Sequence, residues 1–328
     1  MSDLQIPVFT DVLGARRRIA PYLRPTPLYA YGALSELVGT DIHVKHENHL
    51  PVGAFKVRGG VNLMAQLSAE ERARGVISAS TGNHGQSIAF AARLFGVRAV
   101  ICVPEGANPV KVAAIRSLGA EIVVHGRDFD EARARCAELA AEHGYRYIHS
   151  GDEPHLIAGV ATATLELLED EPAIDVIIVP VGGGSGAAGA CIAAKAVSAG
   201  IEVIGVQSDG APAAFRSWKE HRLLEDHMET FAEGLATRVA FELPQRIMWE
   251  LLDDFVLVSD DEIRSAIVAM IATTRNLVEA AGAAPLAGAL RLGERLAGKR
   301  VALVCSGGNI SPAQLGEVLL HAGAVAPV

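Results

Sequence analysis

Short apolar, β-branched runs recur along the chain, separated by stretches in which apolar residues return with helical spacing. The runs are VISAS at 76–80, RAVICVP at 98–104, EIVVHG at 121–126, DVIIVPV at 175–181, EVIGV at 202–206 and RVALVCSGG at 300–308. None alternates cleanly with polar residues, which predicts strands covered on both faces. Between them, amphipathic helices are expected over Asn83 to Phe95, Asn108 to Leu118, Asp128 to His143 and Asp260 to Ala280. Repeated strand–helix units imply an α/β fold with a largely parallel sheet. One uncharged run, Val176 to Ala194, approaches membrane-span length, but Pro180 and a glycine cluster interrupt it, so it reads as strand, loop and helix.

No repeat and no low-complexity linker divides the chain. The strand–helix unit at 75–150 is expected to be a small inserted α/β domain, because 1–74 and 151–328 each look incomplete alone.

Half of the 328 residues are hydrophobic, enough for a substantial core, and the formal charge is −9. With a pI near 5.7, nucleic acid and anionic membranes are poor partners, and a small molecule is the better expectation. Cys102, Cys136, Cys191 and Cys305 lie far apart, three of them in apolar stretches, and MSDLQIPVFT has no apolar leader core, so a reducing cytoplasm is expected.

Three segments carry candidate chemistry. In KHENHLPVGAFKVRGG, 45–60, Lys56 sits where a turn enters a helix among glycines. A partly desolvated lysine loses its proton readily and forms Schiff bases, although a lone lysine is more often a solvated helix start. In SASTGNHGQS, 78–87, a strand end meets a helix start whose amides favour an anion, with Thr81 and Asn83 as candidate hydrogen-bonding side chains or as simple N-caps. In VPVGGGSGAAGA, 180–190, Gly182, Gly183, Gly184, Ser185 and Gly186 leave the amides bare, as a phosphate-binding turn requires; tight strand–helix packing alone would not need so many small residues. A further strand delivers Ser306, Gly307, Gly308 and Asn309 at its carboxyl end, where ligands of open α/β sheets collect.

Other readings compete. Gly184, Gly186 and Gly189 spell G-x-G-x-x-G with Glu202 and Asp209 downstream, so an NAD(P)-dependent oxidoreductase is the alternative, yet it leaves segments 45–60 and 78–87 without a task. A non-catalytic binding protein of periplasmic type would need a signal peptide. His43, His46 and His49 are spaced by three, but DIHVKHE reads as a strand that scatters them to both faces, so no metal site is expected there. The charges at 130–143 read as a solvated helix face.

Taken in order, from RPTPL at 24–28 to SGGN at 306–309, these motifs resemble the fold-type II pyridoxal-phosphate enzymes, tryptophan synthase β-like in architecture, and within them the threonine and serine dehydratase and serine racemase group. The resemblance implies two open, mostly parallel sheets with helices on both faces, pyridoxal 5'-phosphate as cofactor, and a homodimer. It implies Lys56 as the Schiff-base lysine, Phe55 beside the ring, Asn83 on the ring hydroxyl, Gly182 to Gly186 on the phosphate and Ser306 on the pyridine nitrogen. Ser80, Thr81, Gly82 and His84 would clamp the substrate carboxylate. The reaction implied is loss of water and ammonia from a β-hydroxy amino acid such as threonine or serine, with the freed Lys56 taking the Cα proton. A serine beside the ring nitrogen makes a weaker electron sink than a carboxylate, which favours elimination over transamination.

Departures from the family pattern narrow this expectation. Where racemases of the group carry a serine in S-S-G-N-H, this chain has Thr81, so racemisation is less expected, while the Thr81 hydroxyl stays with Lys56 as a candidate catalytic group. At the positions matching the family's divalent-metal ligands stand Gln207, Ala211 and Ala213, with Asp209 nearby, and no metal is expected. Glu279 in VEAAGAAP precedes Ala280 where a proline is usual, and is expected to support the pocket. No residues remain after the SGGN segment for a regulatory domain, so feedback by isoleucine is not expected.

Overall fold

The computed structural model describes residues 4–324. The chain forms two compact units: residues up to Arg24 with Lys56–Val160, and Pro25–Phe55 with the residues from Ala161 onward. The first unit therefore holds the 75–150 segment together with the N-terminal helix Phe9–Ile19 and the helix that begins at Lys56. The chain passes between the units three times, at Arg24–Pro25, at Phe55–Lys56 and within the helix Pro154–Asp170.

In chain order the strands are β1 (Leu28–Ala30), β2 (Asp41–His46), β3 (Val76–Ala79), β4 (Ala99–Val103), β5 (Glu121–Val124), β6 (Arg146–Tyr147), β7 (Val176–Pro180), β8 (Glu202–Ser208), β9 (Asp254–Val258) and β10 (Arg300–Cys305). The first unit contains a parallel sheet in the order β5-β4-β3-β6. Its helices lie on both faces. Ile77, Ala79, Val100 and Cys102 pack on Cys136 and Leu139 of the helix Phe129–His143. Ile101, on the other face, stands under Gly85 of the helix Asn83–Phe95.

The second unit contains the order β1-β2-β10-β7-β8-β9, parallel except for β1 against β2. One face carries Ile42, Val44, Val176, Ile178, Ile204 and Val206 into a core with the helices Asp260–Thr274 and Ala280–Leu292. The helix Ser185–Val197 packs on β7 and β8. These are the two open, mostly parallel sheets the family resemblance implied.

The uncharged run at 176–194 resolves into β7, a loop and a helix, and no helix among the described residues is long and apolar enough to cross a membrane. The helix expected over Asp260 to Ala280 is a correction: it stops at Thr274. Thr273 and Thr274 turn their hydroxyls back to Ala269 O and Met270 O, both at 2.7 Å, and Arg275 takes a left-handed φ of 62° that closes the helix. A second helix then starts at Ala280, capped in position by Glu279.

The three histidines also differ from the strand reading. The strand ends at His46 and a 3-10 turn spans Glu47–His49, so His46 and His49 stack with ring centres 4.9 Å apart rather than facing opposite ways. Both nitrogens of His46 and Nε2 of His49 have protein partners. Asn48 donates its Nδ2 to Leu277 O, which leaves Oδ1 for His46 Nδ1–H at 3.2 Å and His46 Nε2 for the Tyr31 hydroxyl at 2.8 Å; His49 Nε2 meets Asn276 Oδ1 at 2.7 Å.

Candidate active site

In each sheet the parallel strands end on one edge, and the motif residues leave from that edge. In the first unit β3 ends at Ala79 and β6 at Tyr147, and the two strands are neighbours. The Ser80–His84 loop and the turn after β6 are therefore adjacent. Lys56 opens the helix Lys56–Met64, which beds closely on its surroundings. A Cβ on Gly59 would lie 2.9 Å from Leu156 O, one on Gly60 2.5 Å from Ser87 Oγ, and one on Gly159 2.7 Å from Arg58 O. Ser87 Oγ donates to Lys56 O at 2.7 Å, and Lys56 Nζ donates to Ser150 O at 3.1 Å. Lys56 keeps some exposed surface, yet its amine is desolvated, and this burial pushes it down to about 8.

The N-cap of the helix Asn83–Phe95 is Gly82, not Thr81 or Asn83. The capping oxygen comes from further back: Ser80 Oγ accepts from Gly82 N at 3.2 Å and from Gly85 N at 3.0 Å. His84 is buried. Ser78 Oγ donates to Ile148 O at 2.8 Å, so its oxygen must receive His84 Nε2–H at 2.9 Å, which fixes the imidazole tautomer. His84 Nδ1 is then a buried acceptor with no protein partner. Burial, with Lys56 and His149 nearby, holds this ring well below the ordinary histidine range, so it is neutral and offers no charge to a carboxylate.

In the second unit β10 lies between β2 and β7, so Ser306 leaves its strand between the 47–55 segment and the glycine loop. The 47–55 segment is zipped to the Ser306–Asn309 turn. Phe55 N donates to Ser306 O at 2.9 Å, Gly308 N to Gly53 O at 2.9 Å, and Asn309 Nδ2 to Val52 O at 2.8 Å. Glu279 N donates to Gly307 O at 3.1 Å, and its carboxylate stands so near that a Cβ on Gly307 would meet Oε1 at 2.4 Å. Ser306 is buried.

The glycine loop needs its glycines for more than an anion. A Cβ on Gly182 would lie 2.2 Å from Gly234 O, and one on Gly183 2.2 Å from the Phe241 ring. Gly184 has a φ of 86°, and a Cβ on Gly186 would approach the Phe55 ring to 3.2 Å. Tight packing therefore demands the bare backbone by itself, contrary to the expectation from sequence. Gly184 gives the helix Ser185–Val197 no side-chain cap. The structure brings Phe55, Gly186 and Ser306 together. Sequence reasoning missed Gly234, Thr237 and Phe241, which wrap the loop; Thr237 Oγ1 donates to Gly182 O at 3.4 Å. FAEGLATRVAF at 231–241 carries no spacing signal that would have singled them out.

Gln207 Oε1 accepts from Phe215 N at 3.0 Å, which turns its amide nitrogen, not an oxygen, to the remaining side. Glu202 lies at the amino end of β8 and is paired with Lys299 at 2.5 Å and Arg295 at 3.3 Å, so it is not at the strand end where a ribose-binding acid stands.

The first unit thus presents a desolvated amine at its strand ends, and the second a glycine-rich turn at its own. The model of the family described as pyridoxal-phosphate dependent enzyme matches residues 19–307. An L-threonine ammonia-lyase from Thermotoga maritima is 36% identical over 94% of this chain and 77% of its own length. An L-threo-3-hydroxyaspartate ammonia-lyase from Saccharomyces cerevisiae is 37% identical over 93% of this chain and 94% of its own. The crystal structure of a serine racemase from Dictyostelium discoideum superposes with a TM-score of 0.88 at 32% identity, covering 93% of this chain and 99% of that one. The chain belongs to the pyridoxal-phosphate-dependent enzymes. Within them it falls in the fold-type II group of threonine and serine dehydratases and serine racemases.

Proposed function

We propose that the protein is an ammonia-lyase that removes water and ammonia from a β-hydroxy amino acid, threonine and serine first among them, to leave a 2-oxo acid. The observation that carries this reading is the Lys56 amine, pushed down to about 8 by burial at the head of a tightly packed helix. Three relatives, from Thermotoga maritima, Saccharomyces cerevisiae and Geobacter sulfurreducens, are ammonia-lyases by name.

The residues present fit pyridoxal phosphate. Lys56 supplies the amine, and the uncapped first turn at Gly184–Gly186 supplies amides for the phosphate. Phe55 packs against Gly186, and Glu279 buttresses the Ser306–Gly308 turn; the family resemblance supports Ser306 as the partner of the ring nitrogen and Asn83 as the partner of the ring hydroxyl. When bound, the cofactor supplies a carbonyl for amines and a ring that withdraws electrons from Cα. Lys56, once exchanged for the substrate amine, is the base for the Cα proton. The Ser80–His84 loop receives the substrate carboxylate through backbone amides and the Thr81 hydroxyl, because the neutral His84 ring is tied to Ser78. Four buried free thiols support a reducing cytoplasm, and the family resemblance supports a homodimer.

The test is direct. The chain loaded with pyridoxal phosphate is supplied with L-threonine, L-serine and L-threo-3-hydroxyaspartate, and ammonia and 2-oxo acid are measured. Borohydride is then used to fix the cofactor, and the labelled peptide is identified by mass. Equal yields of both products and a label on Lys56 are expected. A label on another lysine, or no ammonia from any β-hydroxy amino acid, overturns the reading.

A further inference from the structure

The stretch after β6 receives the Lys56 amine, and two imidazoles hold that stretch in place. Ile148 N donates to Ile77 O at 2.9 Å, and Ile148 O accepts from Ser78, which in turn carries His84. His149 then closes a tight turn on itself. Its Nδ1 lies 2.8 Å from Asp152 N and 3.3 Å from Gly151 N. A backbone amide only donates, so Nδ1 bears a lone pair and the ring is the Nε2–H tautomer. Inside this turn sits Ser150, whose carbonyl takes Lys56 Nζ at 3.1 Å.

We propose that His149 is a positioning residue: by capping Gly151 and Asp152 with Nδ1 it aims the Ser150 carbonyl, and through it sets the resting place of the Lys56 amine. The inference rests on the reading of Lys56 as the attachment point. An asparagine can do the same work, because its Oδ1 occupies the place of Nδ1. Protonating Nδ1 undoes it, because the new N–H opposes Asp152 N–H and turns toward Asp152 Oδ2, 3.6 Å away.

The charged and titratable groups around the turn keep the lone pair available. Burial, with Arg133 of the helix Phe129–His143 and Lys56, lowers the His149 ring against the pull of Asp152 and Glu153; Tyr147 lies beside it with ring centres 6.4 Å apart. Lys56 is itself faced by His149 and by the neutral His84 of the helix Asn83–Phe95.

The experiment uses the full chain freed of pyridoxal phosphate, with His149→Asn, His149→Gln and His149→Ala. Competitive acetylation across a pH series, read as peptide masses, gives the pH midpoint of Lys56, with Lys111 and Lys219 as internal references; Tm is recorded for each protein. His149→Asn is expected to keep the wild-type midpoint. His149→Gln and His149→Ala are expected to move it down by about one pH unit, because the carbonyl that favours the ammonium form is no longer aimed at it. If His149→Ala does not fold, the asparagine and glutamine variants carry the comparison. A Lys56 midpoint that stays put while Tm falls, or an asparagine variant that behaves like glutamine, overturns the proposal. Failure of the underlying reading looks different: borohydride would label a lysine other than Lys56 in the loaded wild type.

Discussion

Gly60 and Ser87 approach so closely that a Cβ on Gly60 would stand 2.5 Å from Ser87 Oγ, the same oxygen that donates to Lys56 O. Gly60→Ala must therefore push either the helix carrying Lys56 or the helix Asn83–Phe95. The expected cost is about 1–3 kcal/mol, as for other overpacked sites, measured by urea unfolding. Adding Ser87→Ala should recover part of that stability but not the hold on the Lys56 carbonyl, so pyridoxal phosphate uptake stays slow in the double variant. Full recovery of both would show that Ser87 does nothing for the lysine.

The pH dependence of cofactor uptake follows from the same lysine. Only the neutral amine attacks a carbonyl, and burial brings its midpoint from 10.5 down to about 8. Uptake by the chain freed of cofactor is expected to rise with pH and level off above that value. Between about 8 and 10.5 the folded chain binds fewer protons at this site than the unfolded chain. The contribution of Lys56 to stability therefore improves as pH rises through that window. A stopped-flow profile still rising steeply near 10.5 would contradict this assignment.

A side chain at the glycine loop should be costly for a reason that can be isolated. Gly183→Ala places a methyl against the Phe241 ring, and a loss of about 1–3 kcal/mol with weakened cofactor binding is expected. Phe241→Leu should restore much of the stability in combination, and a double-mutant cycle measures the coupling. Strict additivity would mean that the two residues do not oppose each other.

Lys45 is fully buried and donates to Thr26 O at 2.6 Å and Glu166 Oε2 at 3.2 Å. Lys45→Met leaves a carboxylate in the interior without this cation. A loss of about 3–5 kcal/mol is expected from chemical denaturation. A change under about 1 kcal/mol would mean that other partners of Glu166 neutralise it unaided.

The oxidoreductase alternative gives a separate check. With Glu202 engaged by Lys299 and Arg295, nicotinamide dinucleotides are expected to leave Tm unmoved, while pyridoxal phosphate raises it. The reverse pattern would favour the G-x-G-x-x-G reading.

Much of this architecture is legible in the chain because buried parallel strands write themselves as β-branched runs: VIIVP, EVIGVQS and RVALVC become neighbours in one sheet. The motif segments are legible because they sit where those runs stop. What stays hidden is long-range or conformational. Nothing in TTRN announces that Arg275 will turn left-handed and split a helix, since threonines and an arginine also suit a helix end or middle. Gly182 and Gly183 look like bare amides for a ligand until Gly234 and Phe241, some 50 residues on, are found against them. The role of Ser80 as the cap was obscured because Thr81 and Asn83 lie nearer the helix start.

Cys102, Cys136, Cys191 and Cys305 are all buried, although Cys136 belongs to a helix whose sequence looks mostly polar. Maleimides should therefore find no ready target in the folded chain, and native thiols need not be stripped out before dye labelling. A cysteine placed at exposed Val124 would become a clean attachment point, and any slow reaction beyond it would serve as a clock for opening of the protein's own interior.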